Sequence, residues 1–360
     1  MRLREIGMTP KGIKILGFSA VVAVLGAAYS LERDRVGSGM KNAGAVFPGL
    51  MGSINSIGRV VIDHREKTLT MVRDSAGNWS MNESDGYSVS AKVADKVMVQ
   101  LADLNYYESK TKKRSLYDRL HVEDPKGKES RAHKIQVFDS KGIKLVDLIA
   151  GRKRHNLVGV RKQGVYIRKP GNDQTWLAAG ELSLETKPSG WLVRKIVDIK
   201  EKNILSVVVT HPDGEVLNIS KDDPKARNFT LHDIPEGKTL EYETDPDNIA
   251  AVVEQLELDD VRKAGYLNFV DDQTTRAEFI TRDGLKLVFR VLEKDKGQWA
   301  EVKAIANKLD ASSNSGKAPV DVAKEINARV NGWIYKLPSF KGSRLMRRMA
   351  DMVKDKTPKS

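Results

Sequence analysis

The side chains of this 360-residue sequence that could do chemistry are spaced too widely for a local catalytic or metal-binding motif. No histidine lies three or four residues from another, the spacing by which two imidazoles on one helix face share a metal ion. The histidines are His64, His121, His133, His155, His211 and His232. We expect them on the surface or in hairpins, with no metal site and no cofactor; a metal site built from distant residues is the alternative.

Carboxylates occur as adjacent pairs, which suits loops and helix caps. Neighbouring side chains point in different directions on a helix or strand, so such pairs rarely act together as general acid and base. The pairs are Asp222-Asp223, Asp259-Asp260 and Asp271-Asp272. The chain has no cysteine, which excludes disulfides, thiolate metal sites and a thiol nucleophile. It also lacks a Gly-x-Ser-x-Gly elbow, a Walker loop and a dinucleotide fingerprint, so we predict no catalytic residue and no enzymatic activity.

The net charge of +13 is spread along the chain. Local basic runs occur at residues 110–114, 152–154 and 344–348. Platforms for single-stranded nucleic acid alternate basic with aromatic side chains, and these runs do not. The composition therefore predicts anionic lipid headgroups or an acidic protein as partners, and no nucleic acid.

The N-terminal segment predicts a membrane anchor. Residues 1–14 are basic and residues 15–31 carry no charge, a run close to the length that crosses about 30 Å of hydrocarbon. The basic flank keeps the N-terminus in the cytoplasm and places the rest outside. A cleaved signal peptide is the alternative, because Gly26-Ala27-Ala28 offers small residues for cleavage, but the apolar run continues beyond it. Residues 32–52, rich in glycine and small side chains, predict a flexible tether.

The remaining chain contains two related halves, residues 53–198 and 199–342. The Gly142-x-Lys-Leu-Val segment recurs at Gly284, 142 positions later, and Gly190-Trp191-Leu192 recurs at the same offset as Gly332-Trp333-Ile334. Val60 corresponds to Val207 at the start of each half. Only the first half contains a basic insertion, residues 111–132. We expect Trp191 and Trp333 to pack in the cores, since repeat-equivalent positions usually serve the fold of the repeat.

The hydrophobic periodicity predicts mostly strands and one main helix in each half. A helix over residues 90–104 has Val93, Val97, Leu101 and Leu104 on one face, and a second begins at Pro246 after an Asp245 N-cap, with Ile249, Val252, Val253 and Leu256 apolar. Glycine-containing turns at residues 74–77, 140–142, 212–214 and 282–284 indicate hairpins. The predicted fold class is α+β: a single N-terminal transmembrane helix, then two tandem repeats of mostly antiparallel sheet with a packed helix.

Two further helices are predicted near the C-terminus. Residues 320–330 form one, and the basic tail, residues 343–360, contains another over residues 343–356 with an apolar stripe of Leu345, Met346, Met349, Met352 and Val353. The tail helix either docks on the body, lies on an anionic membrane or binds a partner helix.

The combination of these features resembles the DUF4340 family of bacterial envelope proteins, over about residues 45–340. The telling residues are Trp176-Leu177, Gly190-Trp191-Leu192 and Gly332-Trp333-Ile334-Tyr335, after an N-terminal apolar segment. The family has no known function, and its genes commonly lie beside those of an ABC-2-type permease, an ATPase and a gliding-motility-like component.

The resemblance implies a non-enzymatic accessory subunit of an ABC-transporter-like envelope complex. Such a subunit would sit at the bacterial inner membrane with its body in the periplasm, and its partners would be an ABC-type permease and a gliding-motility-like subunit. Two other interpretations stay open. One is a periplasmic scaffold that binds anionic lipid or cell-wall polymer, for which the basic C-terminal tail is the predicted lipid contact. The other is a hydrolase or ligand-binding protein with a site between the repeats.

Overall fold

The computed structural model describes residues 44–159, 161–223, 226–306 and 317–356. Contacts divide them into two compact units. The first comprises the residues up to Trp79 together with Ala91–Thr186, and the second comprises Ser80–Ser90 and the chain from Lys187 onwards. The division after Thr186 precedes the predicted repeat boundary at residue 198, because Lys195–Val197 pairs with Leu256–Glu257 inside the second unit.

The predicted anchor, residues 15–31, and the basic N-terminus lie outside the described residues. In the part of the chain that is described, no helix is both long and apolar enough to cross a membrane. The described end of the predicted tether, residues 44–52, is packed rather than flexible. Val46 and Leu50 are buried, and the Val46 amide donates to the Leu104 carbonyl at 2.8 Å. Apolar side chains among the glycines favour this burial.

Alternating strands and short turns form the chain up to residue 179. Its helices and strands, in chain order, are α1 (Leu50–Ser53), β1 (Ile57–His64), β2 (Lys67–Arg73), β3 (Trp79–Met81), β4 (Tyr87–Ser88), α2 (Ala91–Ala102), β5 (Asn105–Ser109), α3 (Tyr117–Leu120), β6 (His133–Asp139), β7 (Lys144–Arg154), β8 (Gly164–Arg168) and β9 (Thr175–Ala179). The sheet of the first unit runs β2-β1-β6-β7-β8-β9-β5, and its neighbouring strands are antiparallel. Helix α2 buries Val97 and Leu101 as predicted.

The second unit repeats this plan. Its elements are β10 (Lys195–Val197), β11 (Ile204–Thr210), β12 (Val216–Ser220), β13 (Thr230–Leu231), β14 (Lys238–Leu240), α4 (Asp245–Ala250), β15 (Leu256–Glu257), β16 (Asp260–Lys263), β17 (Thr275–Thr281), β18 (Leu285–Lys294), β19 (Gly297–Ala306), α5 (Pro319–Val330), β20 (Trp333–Lys336), α6 (Ser339–Leu345) and β21 (Val353–Asp355). Its main sheet runs β13-β12-β11-β17-β18-β19-β20-β16. The structure is therefore mostly antiparallel sheet with a few helices, as the α+β prediction requires.

The strand registers define which residues of the two units are equivalent. Val60 faces Val137 in the first sheet, and Val207 faces Phe279 in the second. Each sheet has a register shift at the start of this pairing, after Ile57 in one and after Ile204 in the other. The predicted match of Val60 with Val207 is thus confirmed.

The predicted match of the two Gly-Trp segments is wrong. Gly332 leads into β20, the strand that pairs with β19 and β16. Its counterpart in the first sheet is β9, which pairs with β8 and β5. Gly190 follows β9 and ends a 3₁₀ turn, Pro188–Gly190. The two units carry insertions at different places, so a constant offset does not hold from end to end. Trp191 is fully buried, whereas Trp333 is half-buried.

The predicted C-terminal helix over residues 343–356 is also wrong. Helix α6 ends at Leu345, and Val353–Asp355 instead forms β21, which pairs with β14. A reciprocal cap ends the helical path, because the Arg348 amide donates to the Asp351 carboxylate at 3.0 Å. Met352 is fully buried, so the tail docks on the second unit.

The second predicted helix is shorter than the run of apolar positions, Ile249 to Leu256, from which it was predicted. Helix α4 ends at Ala250, a 3₁₀ turn continues over Ala251–Val253, and Leu256 lies in β15. Asp245 is inside the helix rather than its N-cap; its buried carboxylate lies 2.5 Å from Arg347. The tertiary ion pair therefore determines the position of this carboxylate, and capping does not.

Candidate functional site

The structure brings two of the six histidines together. His64 ends β1 and His133 begins β6, and their rings stack at 4.1 Å with an angle of 3° between the planes. His64 Nδ1 lies 2.9 Å from the Ala132 carbonyl oxygen. Burial, with the neighbouring His64 and the cations Lys153 and Arg65, lowers the pKa of His133 to about 4.

The remaining predicted candidates are separated. His211 lies in the hairpin turn between β11 and β12, one of the two positions expected, and it is buried there with Nε2 2.9 Å from the Arg347 carbonyl oxygen. Asp222 accepts a bond from Thr230, and Asp271 pairs with Arg290. Within the described ranges, no three histidine, aspartate or glutamate side chains lie together in a way that could hold a metal ion.

A different set of side chains lies together on the outer face of the second sheet, which is the face opposite the buried side chains of β17. Strand β17 alternates, burying Ala277 and Phe279 and exposing Arg276. The register places Arg276 directly opposite Arg290 of β18, and Arg290 opposite Glu301 of β19. Like charges directly opposite each other on a sheet cost stability. The direct pairing of these two arginines therefore does not stabilise the sheet.

Carboxylates around the two arginines offset part of this cost. Arg276 lies 2.5 Å from Glu278, and Arg290 reaches Asp271 at 2.8 Å and Glu301 at 3.1 Å. Burial raises the pKa of Glu278, but bonds from Lys286 and Arg276 outweigh it and hold that pKa below its usual range. The guanidinium groups are thus held in position on the sheet rather than extended freely into solvent.

Arg276, Arg290 and Glu301 line an open hollow of about 460 Å³. Lys303, exposed on β19 opposite Val288, adds a third cation, and the described residues provide it with no ion pair. Trp333 and Ile305 add apolar surface. The Trp333 ring meets Tyr87 edge-on, with centroids 4.8 Å apart.

Helix α5 forms one wall of the hollow. Its Asn327 side chain bonds the backbone of β19 in the way that a neighbouring strand would. Past the end of β20, the described residues place no further strand beside the edge of β19. The Asn327 side chain accepts from the Ala304 amide at 2.9 Å and donates to the Ala304 carbonyl at 2.8 Å. A primary amide can do both because it carries a donor and an acceptor like the peptide group itself.

The arrangement suits binding of an anion beside an apolar group. Arginine presents a planar fork that matches a carboxylate, and a nearby indole provides apolar contact area. A second hollow of about 310 Å³, beside His211, shares Arg276 and Arg290 with the first. The sequence analysis did not predict this site, although one signal was present: Arg276 and Arg290 both occupy outward positions between buried residues of β17 and β18.

Comparison with known families identifies the chain. A model described as "Domain of unknown function (DUF4340)" matches residues 79–279, more than half of the sequence. The chain belongs to the DUF4340 family. The resemblance inferred from the sequence is thus confirmed. The DUF4340 match runs from β3 into β17, so it includes Arg276 but neither Arg290 nor Lys303. Searches of curated proteins and of solved structures found no significant match.

Proposed function

We propose that this DUF4340 protein is a non-enzymatic, membrane-anchored extracytoplasmic subunit of an ABC-transporter-like complex. It sits at the bacterial inner membrane with its N-terminus in the cytoplasm and its body in the periplasm, and it binds a permease or a gliding-motility-like subunit. The observation that carries the proposal is the open, cationic face of the second sheet, which we assign to partner binding. The N-terminal apolar run and the family resemblance support the membrane location.

Energetic cost supports a binding role for this face. Arg276 and Arg290 face each other across neighbouring strands, and like charges placed directly opposite destabilise a sheet. At the position equivalent to Arg290, the first sheet has the buried Ile149, whose neighbours across the strands are Lys134 and Arg168. The strand order therefore accepts an apolar residue at this position, and we infer that the paired arginines of the second unit also serve partner binding.

The occupant that fits is an acidic segment of a partner protein with at least one apolar side chain. Its carboxylate would meet Arg276 and Lys303, and its apolar group would lie against Trp333 and Ile305. Because exposed charges are screened by salt, binding through this face weakens at high ionic strength.

The test is an affinity pull-down of the full-length chain from gently solubilised native membranes, with mass spectrometry of the partners. The variant Arg276→Gln/Lys303→Gln removes two cations from the face. The matched control Lys294→Gln/Lys296→Gln removes the same charge from the exposed turn between β18 and β19. We expect the unaltered chain and the control to recover a multi-pass permease or its associated subunits, and the face variant to lose them.

Two results would contradict the proposal. Recovery of the chain alone, even after mild crosslinking, would overturn the role as a complex subunit. Equal recovery by the face variant and the control would move the partner to another surface of the protein.

A further inference from the structure

We propose that the basic insertion of the first unit, residues 111–132, lies against the anionic headgroups of membrane phospholipids. This inference rests on the proposed function in one respect, the membrane anchor, and it concerns a different surface from the open face of the second sheet.

The insertion is firmly seated on the first unit. Its buried side chains pack with sheet residues in one cluster of Tyr117, Val122, Ala132, Ile149, Leu157, Tyr166, Leu177 and Ala179. The Tyr117 hydroxyl donates to the Asp173 carbonyl at 2.7 Å. A side-chain carbon at Gly151 would lie only 2.3 Å from the Leu120 carbonyl oxygen, so the insertion approaches β7 as closely as glycine permits. Its apolar side therefore faces inward.

Its cations consequently face solvent. Arg114 and Arg131 are paired with Asp173 and Asp118. Other basic side chains of the insertion are exposed and, as far as the described residues extend, have no ion pair: Lys112, Lys113, Arg119, Lys126 and Lys128. The exposed residues 152–154 at the end of β7 add further positive charge.

The titration of a histidine within the insertion supports a positive potential at this surface. The pKa of His121 lies below its ordinary value because of burial and because the cations Arg131 and Arg152 disfavour a further positive charge. Glu123 and Asp118 oppose this effect without reversing it. Local carboxylates thus leave a surplus of positive charge.

The path of the chain places this surface near the predicted anchor. Residue 44 is the first that is described, and its carbonyl accepts from the Tyr106 amide at 3.0 Å, while Ala45 bridges Asn105. Both partners lie in β5, and the insertion follows directly after that strand. An extended chain spans about 3.4 Å per residue, so the stretch from residue 31 to residue 44 reaches at most about 45 Å. The edge of the first unit that begins the insertion therefore lies within about 45 Å of the end of the predicted anchor.

The C-terminal tail is a weaker lipid contact than its sequence predicts. Arg347 pairs with Asp245, and Arg348 pairs with Asp213 at 2.7 Å and Glu215 at 2.5 Å. Carboxylates of the second unit already neutralise these cations. A lipid phosphate would have to displace them, whereas at the insertion it meets unpaired ammonium and guanidinium groups.

The test uses the absence of cysteine to label single sites in the full chain. Ser115→Cys in the insertion and Ser343→Cys in α6 each replace an exposed serine and carry the same environment-sensitive fluorophore. The labelled chain is reconstituted into phosphatidylcholine vesicles with or without about one-third phosphatidylglycerol, with a quencher attached to a fraction of the headgroups. We expect quenching at position 115 only in the anionic vesicles, and its loss at about 0.5 M salt, where the screening length falls to about 4 Å. The probe at position 343 should not respond.

Charge variants in the Ser115→Cys background identify the residues responsible. Each cation near an anionic bilayer contributes roughly a fivefold preference for contact. The variant Lys112→Gln/Lys113→Gln/Arg119→Gln should therefore lower the docked-to-undocked ratio on the order of a hundredfold. The control Lys92→Gln/Lys96→Gln/Lys141→Gln removes the same charge from exposed positions outside the insertion and should leave the quenching unchanged.

The outcomes separate this inference from the proposed anchor. Flotation of the chain with vesicles at high salt would support the anchor. The inference is overturned if position 115 is then quenched equally in neutral and anionic vesicles, or if position 343 responds instead. If the chain leaves the vesicles at high salt but position 115 is quenched by anionic vesicles at low salt, the inference is supported and the anchor is wrong.

Discussion

The two sheets of this protein share one strand order but differ in what lies on the outer face. In the first unit, the insertion covers that face with Tyr117 and Val122. In the second unit, the same strands leave a hollow lined by Arg276, Arg290 and Lys303. The comparison teaches that the fold does not prescribe the chemistry of this face. A covering segment makes it a second core, and without one it stays an open, charged surface.

The residue types at equivalent positions follow from this difference. Ile149 is 4% exposed beneath the insertion, whereas Arg290, at the equivalent position of the second sheet, keeps a side chain that is 32% exposed. Covering a position removes water, and an uncompensated charge is costly there. Exposing it leaves water to solvate the guanidinium group.

The largest expected effect is that of placing an arginine, the residue found at position 290 of the second unit, at the covered position 149 of the first unit. Ile149→Arg buries a cation without a carboxylate partner and removes apolar burial, so we expect a loss of about 5 kcal/mol in the free energy of unfolding of the first unit. Urea unfolding, followed by hydrogen exchange of the strands β6 to β8, measures it. The control Ile149→Val should cost about 1 kcal/mol. A similar cost for both would mean that the insertion does not cover this position in solution.

A second prediction concerns acid sensitivity at another pair of equivalent positions, His133 in β6 and Thr275 in β17. The pKa of His133 is about 4 in the folded chain and about 6.5 when unfolded. Between these values the unfolded chain binds more protons. Stability of the first unit is therefore full above pH 6.5 and falls as the pH drops towards 4, by up to about 3 kcal/mol. Thr275 does not titrate, so this position contributes no such loss in the second unit.

Hydrogen exchange of β1 and β6 across this pH range, corrected for intrinsic rates, measures the loss. The variant His133→Phe retains a ring in the stack with His64 and should flatten the dependence. His155→Gln changes an exposed histidine of the same unit and should leave the dependence unaltered. An unchanged slope in His133→Phe would show that the stacked pair is not its source.

The smallest expected effect is that of the reciprocal exchange, Arg290→Ile. The variant loses partly exposed bonds to Asp271 and Glu301 and a bond to the Phe269 carbonyl, which together contribute about 1–2 kcal/mol. It also relieves the repulsion from Arg276. Urea unfolding of the second unit should show only this modest loss, while the pull-down loses its partner. A loss of stability as large as that of Ile149→Arg would mean that the arginine serves the fold.

Local signals in the sequence were reliable where one segment alone decides the structure. Gly142 and Gly284 adopt the positive φ of 85° that their hairpins require, and the alternation of β17 separates buried from exposed side chains as expected. The duplication was recognisable from strand residues such as Val60 and Val207. The constant offset of 142 residues gave a wrong match of Gly190 with Gly332, because insertions of different length shift the offset between the units.

The sequence by itself determined the antiparallel strands, their turns, the duplication and the family, because period-two alternation and glycine turns act over a few residues. Only the tertiary structure decided which sheet face is covered and where the tail becomes a strand beside β14. It also decided that Arg276, Arg290 and Lys303 meet on one surface. These outcomes depend on contacts between residues far apart in the chain, such as the 2.5 Å ion pair of Arg347 with Asp245 and the packing of Tyr117 against Ile149. A local pattern specifies which side chains share a face, and distant segments specify what covers that face.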